Sequence, residues 1–456
     1  MRFRCIHWRV VSACTAVALL AACGGSGTED GVPENMTLTA QAVTPGEVQL
    51  TWTPYIGDGD YYEVYRDGVG LNVYLETQTS YADREVQPDT EYCYKIYRTG
   101  YLATDGMSNT ACVTTPGIAG WTIQTVGQGA SPSLVLDASG QPLVSYAGSA
   151  GVTLATSAEG AWQSSVVDAG SGGAGDTGLA QDRNGGNHIV YWDSRDLRMR
   201  VTSDATGVWI SELVDSSVTP GLIGLTGNSG GYINAMALDS GGSTRLLSSG
   251  NEVSSITYST NQGGAWENTR VATFINANIY DTDIQLDNSG AVHGVAAVGI
   301  PQDCSVYYVT NSGGQWSSLP VTSDSNCGAA LARDSAGTIH VVYSRSNALT
   351  HAWYSGGVWQ SETVDTFSAL GGDRVALAVD DLDHLHIAYR DQSFDLKYAT
   401  NASGAWERIF VDSVGSVGFS PSIAVNAQGR VMIAYVDETT IYIDQVRQTV
   451  KFAISP

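Results

Sequence analysis

The sequence predicts an all-β protein in which a small β-sandwich precedes a seven-bladed β-propeller. Three observations predict this fold class: a recurring tryptophan word, four strand-like runs in each period of the repeat, and an abundance of glycine and tyrosine. Gly and Tyr account for 52 and 23 of the 456 residues, and no stretch shows the periodicity of an amphipathic helix. A hydrophobic content of 43% excludes disorder throughout the chain.

The tryptophan word consists of Trp, four residues and Val, and it recurs from residue 121 onward. Successive copies are spaced 41, 47, 57, 50, 43 and 47 residues apart, and they begin at Trp121, Trp162, Trp209, Trp266, Trp316, Trp359 and Trp406. Four copies are followed directly by an acid, at Asp168, Asp215, Asp365 and Asp412. Four strands in a period of this length indicate propeller blades.

Two further words lie between the tryptophan words. Asp-x-x-Gly ends the first strand-like run at Asp137, Asp182, Asp287 and Asp334. The next run often reads His-apolar-apolar-Tyr, beginning at His188, His340 and His386. Because these histidines recur at one strand position, we expect them to serve packing or a blade-to-blade hydrogen bond rather than catalysis.

Counting the strands predicts how the ring closes. Sets of three inner strands begin near residues 133, 178, 221, 282, 328, 374 and 421, and the first tryptophan strand precedes all of them. We therefore expect Trp121–Val126 to form the outer strand of the last blade, which leaves no long open sheet edge. Val450–Ile454 is either an extra strand or a competing closure.

Residues 34–116 predict the small β-sandwich. Val48 to Trp52 alternates with period two, and Tyr61 to Gly68 reads as a strand running into a turn. With Pro88 to Tyr92 ahead of another strand, this segment resembles a bacterial fibronectin type III domain, in which Trp52 matches the core Trp and Tyr92 the tyrosine corner. The resemblance implies a spacer, and a ligand-binding module is the alternative.

The first 33 residues resemble the export signal of a bacterial lipoprotein. A basic start (Arg2, Arg4, Arg9) precedes a short apolar run and then Leu20-Ala21-Ala22-Cys23. The resemblance implies a signal peptide over 1–22, acylation of Cys23 and a flexible tether over 23–33. Gly24 after the cysteine favours the outer membrane by the same resemblance.

Cysteine usage agrees with export. Four cysteines lie beyond the signal region, at Cys93, Cys112, Cys304 and Cys327. An even number in an exported chain predicts two disulfides. Cys93 pairs plausibly with Cys112 across a hairpin, and Cys304 with Cys327 on a common face of the propeller.

The charge excludes some classes of partner. With 22 basic and 46 acidic residues the net charge is −24, so a nucleic-acid partner is not expected. Asp380, Asp381, Asp383, His384 and His386 form the densest metal-like cluster. Its position matches a hairpin turn, so the sequence predicts neither a metal nor another cofactor.

The stretch Thr-Asn-x-Gly-Gly-x-Trp resembles a degenerate Asp-box of sialidase-like propellers. A sialidase would need an arginine triad, and the inner-loop candidates are only Arg195, Arg345, Arg390 and Arg374. The early aromatic-Arg-Ile-Pro motif of that family is missing from the sequence. The resemblance therefore implies the fold and not the activity.

Strand alternation predicts the face on which a ligand would bind. Loops between second and third strands share one face with the blade connections, and aromatic, acidic and arginine side chains there suit a sugar or peptide. The candidates are Tyr146, Trp192, Asp193, Arg195, Asp239, Arg345, Arg390, Asp391, Phe394 and Asp437.

The sequence thus predicts a monomeric, lipid-anchored protein of the cell envelope, with a propeller over 117–456 that binds a glycan or a protein. It would lie at the outer membrane or cell surface, or face the periplasm. A hydrolase or lyase acting on polysaccharide is the first alternative, favoured by a close pair of buried carboxylates such as Asp193 with Asp391 or Asp437. A structural envelope protein is the second.

Overall fold

The computed structural model describes residues 34–55, 61–99, 104–118, 120–158, 160–169, 176–193, 195, 198–214, 235–249, 255–275, 277–300, 303–345, 348–366, 374–442 and 445–456. The signal region, with Cys23, lies outside these residues, as does Asp215. All regular structure in the described part is β-strand. No helix there is long and apolar enough to cross a bilayer.

The described chain falls into two compact units. One holds the residues up to Thr39 together with Trp52–Thr79 and Tyr94–Ala111, and the other holds Ala40–Thr51, Ser80–Cys93 and Cys112–Pro456. The strands before residue 116 form a six-stranded sheet of order β1-β8-β7-β4-β5, in which β9 also pairs with β7, and a three-stranded sheet β2-β3-β6. These strands are β1 (Glu34–Met36), β2 (Leu38–Thr44), β3 (Glu47–Trp52), β4 (Tyr61–Arg66), β5 (Val69–Leu75), β6 (Ser80–Asp83), β7 (Glu91–Thr99), β8 (Thr104–Ser108) and β9 (Ala111–Thr114).

The residues that suggested a fibronectin-like segment make specific contacts. The buried ring of Trp52 meets the edge of Tyr62 with centroids 5.5 Å apart. The hydroxyl of Tyr92 accepts the backbone N–H of Gln87 at 2.8 Å, as a tyrosine corner requires. Cys93 is bonded to Cys112, which confirms that predicted disulfide.

The remaining strands form seven blades of four antiparallel strands each, which confirms the predicted propeller. Blade 1 comprises the second half of β10, then β11, β12 and β13; blades 2 to 6 take four consecutive strands each from β14 to β33; blade 7 comprises β34, β35, β36 and the first half of β10. The strands of blades 1 to 3 are β10 (Thr122–Leu136), β11 (Pro142–Gly148), β12 (Gly151–Ala158), β13 (Ala161–Ala169), β14 (Thr177–Gln181), β15 (Asn187–Asp193), β16 (Arg198–Ser203), β17 (Ile210–Leu213), β18 (Ala235–Leu238), β19 (Thr244–Ser249), β20 (Ser255–Thr260) and β21 (Glu267–Thr273). Those of blades 4 to 7 are β22 (Asn278–Leu286), β23 (Val292–Ile300), β24 (Asp303–Thr310), β25 (Ser317–Ser325), β26 (Ala329–Arg333), β27 (Ile339–Arg345), β28 (Ala348–Ser355), β29 (Val358–Thr366), β30 (Val375–Val379), β31 (Leu385–Arg390), β32 (Leu396–Thr400), β33 (Glu407–Asp412), β34 (Ser416–Val425), β35 (Val431–Tyr442) and β36 (Gln445–Ile454).

One long strand closes the ring. The first half of β10 pairs antiparallel with β36, from Thr122 opposite Ile454 to Gln128 opposite Thr449. The strand after Trp121 is therefore the outer strand of the last blade, as predicted, and the C-terminal strand is that blade's third strand. The expected start of the third inner set near residue 221 lies outside the described residues, and the first described strand there is β18.

Each tryptophan of the repeat packs on the third strand of the preceding blade. Five do so ring on ring at centroid distances of 5.0–5.8 Å, namely Trp121 on Tyr398, Trp162 on Phe452, Trp316 on Tyr258, Trp359 on Tyr308 and Trp406 on His351. Trp209 packs against the hydrophobic cluster that contains Leu154 of β12, and Trp266 packs against the cluster that contains Val201 of β16. The spacing of the word thus sets the interface between successive blades.

A side-chain-capped turn follows the first strand of every blade. In six blades, one side-chain oxygen accepts the N–H groups two and four residues later, at Asp137, Asp182, Asp239, Asp287, Asp380 and Asn426. In blade 5, Asp334 accepts the N–H four residues later. The sequence predicted five of these seven turns and missed those at Asp239 and Asn426. Asp239 therefore lies at the turn end of blade 3, opposite the predicted binding face, which corrects its assignment there.

The recurring histidines bond within their own blade. His188, His340 and His386 direct Nε2 to the turn aspartate six residues earlier, at 3.2–3.4 Å. The prediction of a hydrogen bond between blades is therefore wrong for these histidines. The turn aspartate of the same hairpin lies closer to each ring than the side chains of the next blade do. The packing role holds, since all three rings are largely buried.

A tyrosine–aspartate contact joins blades near their other end. The tyrosine hydroxyl at the end of the second strand's word donates to the acid after the tryptophan word of the preceding blade. Tyr389 donates to Asp365 and Tyr435, whose word begins with Met432 in place of histidine, donates to Asp412, both at 2.6 Å. Tyr191 and Asp168 make the same contact. Two sequence words that recur separately are therefore partners in space.

We expect Trp121→Ala to loosen the ring at its closure. Loss of the half-buried ring should cost about 2 kcal/mol of unfolding free energy, less than a fully buried tryptophan, and should speed hydrogen exchange in β36, which pairs with the strand after Trp121. Urea unfolding and exchange mass spectrometry measure the two effects. Trp359→Ala, which removes the equivalent contact in blade 5, is the control, and an equal acceleration of β36 there would contradict the closure role.

Acid should destabilise the protein through its buried histidines. Burial lowers the pKa of His293, His351 and His386, against the pull of their carboxylate partners. The unfolded chain, with histidine pKa values of about 6.5, then binds more protons than the native protein, so the free energy of unfolding falls as the pH drops below that value.

His386→Gln isolates this effect from the carboxylates that titrate in the same range. We expect its urea midpoint to fall less than that of the wild type between about pH 7 and about pH 5. Equal losses in the two proteins would show that His386 contributes nothing to acid sensitivity.

Candidate functional site

Two aromatic residues predicted for the rim are buried between blades. Tyr146 is 4% exposed, and its hydroxyl would lie 2.3 Å from a Cβ placed on Gly127, so glycine is required there. Trp192 is 8% exposed and packs with Val201 and Leu246. Neither ring offers a free face for stacking on a ligand, because strand alternation directs both into the blade interface.

Asp193 and Arg195 lie together on the predicted face. Asp193 is fully buried. Its carboxylate accepts a hydrogen bond from Nε of Arg195 at 2.9 Å and forms an ion pair with Nε of Arg200 at 3.0 Å. Burial alone would raise the pKa of Asp193, but the hydrogen bonds and charge of Arg195 outweigh it and lower that pKa. Arg195 itself is about half exposed and available to a ligand.

Arg345 and Asp437 reach the same end of their blades in separate ion pairs. Nε of Arg345 donates to Asp324 at 2.9 Å in a largely exposed pair. Asp437 pairs with Nζ of Lys451 at 2.8 Å, and Lys451 also contacts Asp412 at 3.2 Å. The disulfide Cys304–Cys327, expected on this face, is present.

Arg390, Asp391 and Phe394 form one cluster at the end of blade 6. The guanidinium of Arg390 lies 4.7 Å from the ring centroid of Phe394 and 3.6 Å from that of Phe419. Asp391 accepts the N–H groups of Ser393 and Asp395 at 2.9 and 3.1 Å. Burial raises the pKa of Asp391, and burial with the charge of Asp391 raises that of Asp395 to about 8.

The carboxylate pair expected of a glycosidase does not form from these residues. Asp193 is neutralised by arginines, Asp437 by Lys451, and Asp391 is held by backbone amides. Among the described residues no hydrogen bond or ion pair joins Asp193 to Asp391 or Asp437. Their blades are separate, and each carboxylate is saturated locally.

Three charged residues lie together at the mouth of the central channel, and sequence reasoning missed most of this cluster. Arg374, at the start of blade 6, reaches across to Asp176 of blade 2, and its Nε lies 4.0 Å from Asp281 of blade 4. Arg374 is 17% exposed. Arg374 had appeared only as one arginine candidate, without partners. Asp176, Asp281 and Arg374 each lie six residues before a turn aspartate, so this spacing was the sequence signal that could have found them.

The channel contains a cavity of about 200 Å³. It is lined by inner strands of six blades, through Pro132, Ser133, Thr177, Asp281, Thr282, Asp283, Gln285, Ala329, Ala330, Leu331, Arg374, Val375, Ala376, Leu377, Ser420, Pro421, Ser422 and Ile423. This volume is below the roughly 300–1,000 Å³ of sites for drug-sized ligands. The cavity therefore has room for one small group.

Two carboxylates in this cavity have different surroundings. Asp281 accepts the N–H of Ala329 at 3.1 Å and lies near the Arg374 guanidinium. Asp283 accepts the N–H groups of Ile284 and Leu331, both at 2.8 Å. Burial, with the charge of Asp281, raises the pKa of Asp283 to about 7. The surface that Asp283 retains faces the channel and not bulk water.

The acidic cluster of blade 6 is a turn. Asp380 Oδ2 accepts hydrogen bonds from both His384 and His386, and its Oδ1 caps the turn backbone. Within the described residues, no group of three or more His, Cys, Asp or Glu side chains is arranged to hold a metal ion.

The comparisons with known proteins find structural likeness only. No protein-family model and no curated protein matches the sequence. Similar solved structures include a protein of unknown function from Dyadobacter fermentans, with 13% identity over 74% of this chain and 98% of that chain and a TM-score of 0.44. Aleuria aurantia lectin in complex with Fucα1-6GlcNAc has 10% identity over 60% and 93%, with a TM-score of 0.44. A polysaccharide lyase titled an ulvan lyase has 13% identity over 71% and 95%, with a TM-score of 0.45. These likenesses assign no ligand or reaction to this chain.

Arg374→Met should destabilise the protein far more than Arg345→Met. Removing Arg374 leaves Asp176 and Asp281 buried without their cation, which should cost about 3 kcal/mol of unfolding free energy. Arg345 is 39% exposed in its pair with Asp324, so its loss should cost less than about 1 kcal/mol. Urea unfolding of both variants measures the difference, and equal costs would contradict a buried bridge across the channel.

Proposed function

We propose that this chain is a lipid-anchored protein of the cell envelope that recognises a glycan or a protein ligand with the propeller face around the channel mouth. The observation that carries the proposal is Arg374, held across an open polar channel by carboxylates of two other blades. Polar groups fixed in this way before binding lose little freedom when a ligand arrives.

The surroundings of the mouth support recognition. Arg195 is fixed by Asp193 and about half exposed, while Arg390 is stacked on Phe394 and Phe419. Arginines held by neighbours, together with aromatic surface, suit hydroxyl groups and the apolar faces of sugars or peptides. The fibronectin-like segment would then act as a spacer, and acylation of Cys23 would hold the protein at the outer membrane or cell surface.

A hydrolase or lyase acting on polysaccharide is the second candidate. Asp281 and Asp283 favour it, because an ionised carboxylate beside one whose pKa is raised to about 7 is the arrangement of a base and an acid. In this reading Asp283 would donate a proton and Asp281 would remain charged.

One experiment separates the two candidates. The mature chain carrying Cys23→Ser is tested on a panel of polysaccharides and glycans for both binding and product release. We expect binding without product, and we expect Arg195→Ala to weaken it at least about tenfold. Arg430→Ala, on the exposed turn face, is the matched control. Product formation that Asp283→Asn abolishes would favour the enzyme, and no binding to any glycan would favour a protein partner or a structural role.

The lipid anchor has its own test. In a diderm bacterium fed an alkyne fatty acid, the wild-type chain should become labelled and should sediment with membranes, whereas Cys23→Ser should do neither. Cys14→Ser, a change within the signal region, is the control. Equal labelling of the wild type and Cys23→Ser would exclude acylation at Cys23.

A further inference from the structure

The inner strands expose backbone groups to the channel, and some blades cap them with side chains. In every blade, the residue four positions before the turn residue lies on the first strand. It pairs with a second-strand residue that is twelve positions further along the chain, as Ser133 pairs with Ser145. The seven first-strand positions are therefore equivalent. From blade 1 to blade 7 the occupants are Ser133, Gly178, Ala235, Asp283, Ala330, Ala376 and Ser422.

Three of these residues accept an N–H from the next blade. Ser422 accepts that of Leu134 at 3.0 Å, and Asp283 accepts that of Leu331 at 2.8 Å. Ser133 likewise accepts the N–H of Leu179 at 3.0 Å. The side chain therefore satisfies a donor on the edge of the neighbouring inner strand, which would otherwise face the channel.

Blades 2, 3, 5 and 6 hold glycine or alanine at this position, and among these residues those of blades 5 and 6 line the cavity. Ala330 and Ala376 carry no acceptor, and the matching donors on the next blades are the N–H groups of Leu377 and Ile423. All four residues line the cavity. Small side chains at this position thus leave both the space and the donors that a bound group needs.

The opposite wall comes from one unusual strand. Asp281, Asp283 and Gln285 alternate along β22 and line the same cavity, whereas the equivalent positions of blade 6 hold Arg374, Ala376 and Ala378. The charged groups around Asp283 are Asp281 on its own strand and the pair Arg374–Asp176 at the mouth. The strands packed beside it place uncharged Ala235, Val295 and Leu331 at its level.

Donors and acceptors both face this cavity. Both oxygens of Asp281 and of Asp283 already accept backbone N–H groups. Ser133 and Ser422 accept backbone N–H groups and so keep their hydroxyl protons to donate. Each carboxylate oxygen of Asp281 and Asp283 keeps a second lone pair and can also accept. Asp176 and Asp281 outweigh Arg374 in charge, which disfavours an anion, and the N–H and O–H donors that face the cavity disfavour a cation. A neutral group rich in oxygen fits both conditions.

We propose that the channel beside blades 5 to 7 binds one neutral, oxygen-rich group, a single uncharged sugar residue, between the bare strand edges at Leu377 and Ile423 and the carboxyl group of Asp283. The inference rests on the proposed recognition of a glycan and names the part that enters the channel. The volume of about 200 Å³ has room for one ring, so a longer glycan would enter with a single residue and keep the others outside the cavity.

Saturation-transfer NMR on the mature Cys23→Ser chain tests the charge class. The probes are methyl glycosides of glucose, galactose, mannose, fucose and N-acetylglucosamine, with glucuronic acid and glucosamine as charged counterparts of one ring. We expect a neutral glycoside to bind and the charged counterparts to bind at least about tenfold more weakly. Preferred binding of the acid or the amine would overturn the proposal, and so would a failure of every neutral glycoside to bind.

Two pairs of variants locate the binding. Ala376→Ser should cap Ile423 as Ser422 caps Leu134, and should weaken binding about tenfold or more. Gly178→Ser makes the same change in blade 2, where the residue does not line the cavity, and should leave binding unchanged. Equal effects of the two, or none from Ala376→Ser in a protein with an unaltered melting temperature, would place the ligand elsewhere.

The protonation state of Asp283 gives an independent readout. Affinity should fall as the pH rises through about 7, where Asp283 loses its proton. Asp283→Asn keeps a donor and cannot ionise, so its affinity should not change with pH; Asp283→Ser serves if the amide variant is unstable. A pH dependence that persists in the variant would overturn the role of Asp283. Polysaccharide binding that depends on Arg195 would survive such a failure, so the broader function is tested separately.

Discussion

The whole propeller depends on the sharing of one strand between its first and last blades. β10 pairs with β36 over its first half and with β11 over its second half, so the two ends of the ring lie in one seven-stranded sheet. Hydrogen bonds along that sheet replace the open edges that a linear array of blades would expose. Every other interface in the ring needs this closure, because each blade buries its third strand only against the next blade.

Within the closed ring, a few contacts recur and fix the spacing between blades. The tryptophan rings pack on the preceding third strand, and the tyrosine hydroxyls bond to the acid at the end of the preceding outer strand. Aspartate turns, with asparagine in the last blade, hold one end of each first hairpin, and buried histidines extend that network inward. The recurrence leaves the opposite end of the blades free to vary, and the charged clusters of the candidate site lie there.

The channel shows how a small departure from the repeat produces a site. Serine or aspartate caps the next strand edge in three blades, whereas alanine leaves the edge bare beside blades 5 and 6. The same cavity receives Asp281 and Asp283 from blade 4 and Arg374 from blade 6. Neither feature is visible in a single blade, because each one requires strands from different parts of the chain to meet.

The sequence by itself predicted the blade count, an outer closing strand after Trp121 and the presence of two disulfides, because period, strand order and cysteine number are countable properties. It left open whether Val450–Ile454 is an extra strand or a competing closure, which only the pairing of β36 with β10 decided. It also placed Arg195, Arg345 and Arg390 on one face through strand alternation. It could not show that Tyr146 and Trp192 are buried, since burial depends on the neighbouring blade. Only the tertiary structure brought Arg374 to Asp176, 198 residues away, because ring closure sets inner strands from opposite blades around one narrow channel. Their low-dielectric surroundings then decide which carboxylates stay charged.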